Sequence, residues 1–143
     1  GYRGIDRKTG ATLELRLESA TVKAGQPIKM KLVNVGDAAW SFAHPGASNG
    51  CGAFRWNVSL SNPKRRYVDP SNAPMRMCTM AIVPPSTITV NPGQEVDVSY
   101  DTESAYRDTA TPSANPERVA PGTYDVFVTG GTTTMKQSVT IEK

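Results

Sequence analysis

Residues 75–80 read Met-Arg-Met-Cys-Thr-Met, three methionines and a cysteine in six positions of a chain whose other cysteine is Cys51 and whose single histidine is His44. Thioether and thiolate sulfurs are soft ligands that suit Cu(I). Met75, Met77 and Met80, with His44 and the Cys78 thiolate, are therefore the candidate copper ligands. A blue-copper centre is excluded within one chain, because it needs two histidines. At a strand's period of two, Met75 and Met77 share one face while Cys78 and Met80 fall with Arg76 on the other. A regular strand cannot bring all these sulfurs to one ion. The methionines are then expected to fill irregular core space, and no metal or cofactor is expected.

The cysteines offer a second chemistry. A Cys51–Cys78 disulfide closes a loop of 28 residues, which constrains the unfolded chain by roughly 3.5 kcal/mol. Both cysteines sit beside loop sequence, Ser48-Asn49-Gly50 before one and Ser71-Asn72-Ala73-Pro74 before the other. A bridge ties a glycine-rich connection to a strand. Disulfides persist in oxidising compartments, so the expected location is the periplasm, the cell surface or the exterior. Two buried free thiols are the alternative.

Catalytic patterns are absent. The chain has no G-x-S-x-G, H-E-x-x-H, P-loop or C-x-x-C, the spacings that build a nucleophile elbow, a zinc site, a phosphate cradle or a redox dithiol. Glu95 and Asp97 alternate with valines and are expected on a wet strand face. The chain is not expected to be an enzyme.

Sixteen Lys and Arg against thirteen Asp and Glu leave a formal charge of +3, dispersed except at Lys64-Arg65-Arg66. Nucleic-acid binders concentrate cations on one face with aromatics to stack on, so no nucleic-acid partner is expected. With 38% hydrophobic and 20% charged residues in 143, the chain suits one domain with its own core. Residues 1–10 read as an N-terminal extension and 11–143 as a single domain. No apolar run reaches the roughly 18 residues that cross a bilayer. A start at Gly1-Tyr2 with no leader is compatible with a trimmed signal or lipid anchor, and so with a membrane tether.

The elements that must position these residues are strands. Leu13, Leu15 and Leu17 alternate with Glu14, Arg16 and Glu18, and Ile28, Met30 and Leu32 alternate with Lys29 and Lys31, each a strand with one buried and one wet face. Phe54, Trp56, Val58 and Leu60 give the strongest alternation. Asn91-Pro92-Gly93 supplies a tight turn, and Gly130-Gly131 joins two terminal strands. About eight or nine short strands with turn signals near every ten residues predict an all-β fold, an antiparallel sandwich with Greek-key connections.

Three stretches carry a family resemblance: "ATVKAGQPIKMKLVNVGDAAW", "VPPSTITVNPGQEVDVSYD" and "VAPGTYDVFVTG". Together they resemble the immunoglobulin-like modules of bacterial cell-envelope proteins, including the BsuPI-type proteinase-inhibitor domain. The resemblance implies an immunoglobulin-like β-sandwich and covers about half the chain at the level of scaffold.

Loops at the ends of such a sandwich are the usual recognition surface, held by rigid sheets. The candidates are His44 to Gly52 (with His44 and Asn49), Val68 to Pro74, and Asp101 to Pro121, where Tyr106 and Arg107 are residue types favoured at interface anchors. The expected function is non-enzymatic: an extracytoplasmic binding or assembly module that presents end loops to a protein partner in the cell envelope. A peptidase inhibitor acting through an exposed loop, and a copper-binding envelope protein using the methionine-rich strand, are the alternatives.

Overall fold

The computed structural model describes residues 2–44, 56–68, 84–107 and 116–143. Twelve strands occur among them: β1 (Tyr2–Ile5), β2 (Thr12–Leu17), β3 (Thr21–Lys23), β4 (Ile28–Asn34), β5 (Trp40–His44), β6 (Asn57–Ser61), β7 (Arg66–Val68), β8 (Ser86–Val90), β9 (Glu95–Tyr100), β10 (Tyr106–Arg107), β11 (Gly122–Gly130) and β12 (Thr133–Glu142). They form a four-stranded sheet in the order β1-β2-β4-β9, a six-stranded sheet in the order β10-β7-β6-β11-β12-β3, and a two-stranded ribbon of β5 and β8. Every pair is antiparallel except β3 with β12. This is an all-β sandwich. Its division of β2, β4 and β9 from β6, β11 and β12 matches the A-B-E and C-F-G sheets of an immunoglobulin-like Greek key.

The alternation read from the sequence sets the core. Ile28, Met30 and Leu32 are buried while Lys29 and Lys31 are exposed, and β4 lies between β2 and β9 with Leu15 opposite Leu32 and Val98 opposite Met30. Val126, Val128, Met135 and Ile141 face them from the six-stranded sheet, all at most 2% exposed. Each such side chain contributes about 1.5–3 kcal/mol by leaving water.

Three strands exceed the eight or nine expected because they are short and carry no apolar alternation. The segment read as an extension contains β1, paired with β2 from Tyr2 opposite Leu15 to Ile5 opposite Thr12. Its Asp6 is buried and accepts hydrogen bonds from the Thr9 amide at 3.1 Å and the Thr133 hydroxyl at 2.8 Å. Burial pushes the Asp6 pKa up, but hydrogen bonds from the Thr9 hydroxyl, the Thr133 hydroxyl and the Thr9 amide outweigh it and the carboxyl lies below its usual range. Thr21–Lys23 lies parallel to β12, and Tyr106–Arg107, read as loop, pairs with β7.

Glu14 was expected on a wet face and is instead buried, at 8% exposure. Arg16 reaches one carboxylate oxygen at 2.6 Å and Arg3 the other at 2.8 Å. Hydrogen bonds from Arg16 first, then Arg3, draw its pKa down to about 2. Because Arg3 comes from β1, the pair also fastens that strand.

The Asn91-Pro92-Gly93 turn closes with a Gln94 amide bond to the Asn91 carbonyl at 2.9 Å, and Gly93 takes φ of 80°. It joins no hairpin, since β8 pairs with β5 and β9 with β4. Asn34, fully buried, holds this crossing: its amide donates to the carbonyls of Ala38 at 2.8 Å and Val90 at 3.0 Å and its oxygen accepts from Gly36 at 3.1 Å. The buried side chain has its polar groups satisfied, which offsets the cost of taking it from water.

The Tyr124 hydroxyl, near the start of β11, donates to the carbonyl of Ala120 at 2.6 Å, four residues upstream and just before the strand. This is the tyrosine corner of immunoglobulin-like sandwiches. The Ala120 amide in turn donates to the Tyr67 hydroxyl at 3.1 Å, and the two rings meet edge to face at 6.0 Å. Burial, and next the neighbouring Tyr67, push the Tyr124 pKa up to about 12. Below about pH 10 both folded and unfolded chains hold this proton and the stabilisation is complete; between about 10 and 12 only the unfolded chain ionises, so stability falls. Tyr124→Phe is expected to cost about 0.5–1.5 kcal/mol at neutral pH and to flatten this alkaline loss, read as urea midpoints from pH 8 to 12.

The β5–β8 ribbon docks through aromatic rings. Trp40 meets Phe42 at 5.1 Å and Trp56 at 5.4 Å, and Phe42 meets Trp56 at 6.0 Å. The tip of the β11–β12 hairpin lies on this triad. A Cβ at Gly130 would overlap the Trp56 ring and come within 2.9 Å of Trp40, and one at Gly131, where φ is +58°, would come within 2.8 Å of Phe42. Trp40 is fully buried, and among the described residues its indole N–H has no hydrogen-bond partner.

Candidate functional site

The strand ends decide where the candidate loops depart. β5 ends at His44, half-buried and opposite Ser86, near the start of β8. The connection 45–55 therefore leaves, and the connection 69–83 returns, at neighbouring points of one ribbon. Both connections run between the ribbon and the six-stranded sheet, because β6 and β7 belong to that sheet. Asn49, Cys51, Met75, Met77, Cys78 and Met80 lie on these two connections, outside the described residues.

The third candidate loop has a firm base. Thr102, fully buried, donates its hydroxyl to the Gln26 carbonyl at 2.6 Å, and its own carbonyl accepts the Val119 amide at 2.8 Å. Ala105 and Glu117 exchange two backbone bonds of 2.8 Å each. Arg118 clasps Glu103 through Nε and Nη2, both at 2.9 Å, and the Glu103 bond raises the arginine's pKa. Gly25, with φ of +89°, sits against this pair: a Cβ there would come within 2.6 Å of the Glu103 carboxylate. Glycine suits this left-handed backbone and the close approach.

Tyr106 and Arg107 are thus strand residues rather than loop residues. Tyr106 is half-buried opposite Val68, and Arg107 is exposed opposite Tyr67, 3.4 Å from Glu117. The register pairs each stem: His44 lies opposite Ser86 in the ribbon, and Val68 opposite Tyr106 and Ala105 opposite Glu117 at the edge of the six-stranded sheet. Sequence reasoning missed Thr102, Glu103, Glu117 and Arg118, since no local spacing signals a pairing across 15 residues.

Among the described residues, no three His, Cys, Asp or Glu side chains come together to hold a metal ion. A depression of about 680 Å³ is lined by residues 16–18, 29–31 and 97–99. These are consecutive residues on or beside the neighbouring strands β2, β4 and β9, so the sheet itself forms its floor. Lys31 lies 3.3 Å from Glu95 and 3.5 Å from Asp97 across it, an exposed ladder of paired charges worth little individually.

No protein-family model matches the chain, and no curated protein matches it. Among solved structures, the chain is similar to part of a β-glucosidase from Listeria innocua in complex with glucose, at 14% identity and a TM-score of 0.37 over 93% of this chain and 16% of that one. It is similar to part of a β-glucosidase from Erythrobacter marinus, at 12% identity and 0.40 over 92% and 15%. A third is an alkylpurine DNA glycosylase from Pseudomonas fluorescens bound to DNA containing an abasic site analog, at 12% identity and 0.37 over 94% and 31%. The chain spans about a sixth of either glucosidase and under a third of the glycosylase, and at these TM-scores the likeness carries no argument about function.

Proposed function

We propose that this chain is a non-enzymatic binding or assembly module of the bacterial cell envelope, exposed to the periplasm or the exterior. It would present the connections 45–55, 69–83 and 101–121 to a protein partner. The observation that supports this reading is that paired strands anchor each connection, through His44–Ser86 in the ribbon and Val68–Tyr106 and Ala105–Glu117 at the edge of the six-stranded sheet. Rigid sheets that hold the ends of a connection lower the entropy lost on binding. The same His44–Ser86 pair supports a Cys51–Cys78 disulfide. Cys51 lies seven residues beyond His44 and Cys78 eight before Ser86, and at roughly 3.3–3.6 Å per extended residue the two thiols are within reach of one another. The resemblance to BsuPI-type envelope modules fits this location.

A photo-crosslinking residue placed at Asn49 tests the reading in the native envelope, with one at Asp97, on the far sheet, as control. The expected result is one discrete adduct from position 49 and none from position 97. No adduct at 49, or the same adducts at both, would overturn it.

The inhibitor reading gains one observation, the base of the 101–121 loop braced by Thr102–Gln26, Glu103–Arg118 and Ala105–Glu117, since an inhibitory loop must resist collapse in a protease cleft. Cleavage of that loop by every protease of a broad panel, with no slowing of any of them, would dispose of it.

A further inference from the structure

The outer face of the six-stranded sheet carries side chains of an unusual kind for a solvated surface. Paired register places them in rows across β6, β11 and β12: Asn57, Thr129 and Thr134 in one; Ser59, Phe127 and Lys136 in the next; then Ser61, Asp125 and Ser138. Thr123 and Thr140 continue the face to Thr21 of β3. Hydroxyls dominate these rows, and pairs of them already meet, Thr129 with Thr134 at 2.9 Å and Thr123 with Thr140 at 3.2 Å. Its charges nearly balance: Lys136, Arg66 opposite Ser61 and Lys23 are set against Asp125 and Glu142.

Two aromatic rings stand on this face. Phe127 is half-buried at the centre of its row. Tyr106 occupies the outer edge: it lies opposite Val68, whose neighbour Tyr67 points inward opposite Leu60. Val68 and Tyr106 therefore point outward, on the level of Ser59 and Phe127. From β11 to β10 is three strand spacings of about 4.8 Å, so the rings stand about 14 Å apart. Between them lies Ser59, 8% exposed.

The geometry points to a neutral polysaccharide as the ligand of this face. Sugar rings present hydroxyls at their edges and C–H groups on their faces. An aromatic ring packs on the C–H face, and Ser, Thr and Asn side chains donate to and accept from the hydroxyls. Two platforms about 14 Å apart would engage separate rings of one extended chain, and the near absence of net charge favours a neutral polymer over an acidic one. This surface is separate from the connections proposed to meet a protein partner, although Tyr106 borders both.

The test is native gel electrophoresis of the intact chain through gels containing a neutral β-1,3-glucan, a neutral β-1,4-glucan or a neutral xylan, followed by titration calorimetry with the matching oligosaccharide. Retardation by at least one neutral polymer is expected, insensitive to 0.5 M salt on the scale of roughly 3–10 Å screening. Phe127→Ala is expected to weaken binding by roughly tenfold or more. Ser138→Ala and Thr134→Ala, exposed changes that leave the fold intact by circular dichroism, are each expected to weaken it several-fold. No retardation by any neutral polymer, retardation only by an acidic one and lost in salt, or unchanged binding in all three variants would overturn the proposal.

Discussion

Trp40→Ala is expected to cost about 3–5 kcal/mol, the range for removing a large aromatic from a packed site. Trp40 is fully buried, contacts Phe42 and Trp56 at 5.1 and 5.4 Å, and lies under the Gly130 backbone. The loss should therefore reach both the ribbon and the β11–β12 hairpin. Trp40→Phe should cost much less, because it keeps ring contacts and removes an indole N–H that is buried without a partner among the described residues. Gly130→Val approaches the triad from the opposite side and should cost about 1–3 kcal/mol or more, since its Cβ overlaps Trp56. Urea midpoints at constant slope check all three. Equal midpoints for Trp40→Ala and Trp40→Phe would show that the ring contacts carry none of the stability.

Reduction of the proposed Cys51–Cys78 bridge is expected to lower stability by roughly 3.5 kcal/mol for a 28-residue loop. That is a large share of the ~5–15 kcal/mol available to a domain. Cys51→Ser and Cys78→Ser should each match the reduced protein, and the double variant should be no worse than either, because one bond is lost in every case. The measurement is the urea midpoint with and without reductant. A reductant-insensitive midpoint in the parent chain would remove the bridge.

The sheets were legible where a buried and a wet face alternate. Ile28 to Leu32 reads as a half-buried strand because period two is the period of the pleat, and the Gly130-Gly131 hairpin follows from glycine's access to positive φ. β1, β3 and β10 were hidden because strands of two to four residues carry too few side chains to show a period, and backbone pairing fixes them instead. Glu14 defeats the alternation for another reason: a carboxylate clasped by Arg3 and Arg16 can be covered where an unpaired one would stay in water. The destination of the Asn91-Pro92-Gly93 turn was equally hidden, since its local chemistry is that of any tight turn and the crossing it makes is braced by Asn34, 57 residues earlier than Asn91.

Of the site, the sequence marked the connections but not their bracing. Tyr106 and Arg107 drew attention by residue type, yet their role as edge-strand residues depends on pairing with Tyr67 and Val68, nearly forty residues away. Phe127 was read as one more residue of a terminal strand. Only the register, which brings Ser59 beside it and Lys136 across from it, reveals a face of hydroxyls around a ring.

The central claim is that this is an envelope-exposed module whose neighbouring connections are joined through Cys51 and Cys78. The most direct test is mass spectrometry of the protein taken from its native cells and alkylated while unfolded and unreduced. The account predicts no alkyl adduct before reduction and two after it. Two adducts without reduction would contradict the bridge, and with it the oxidising compartment on which the envelope assignment rests.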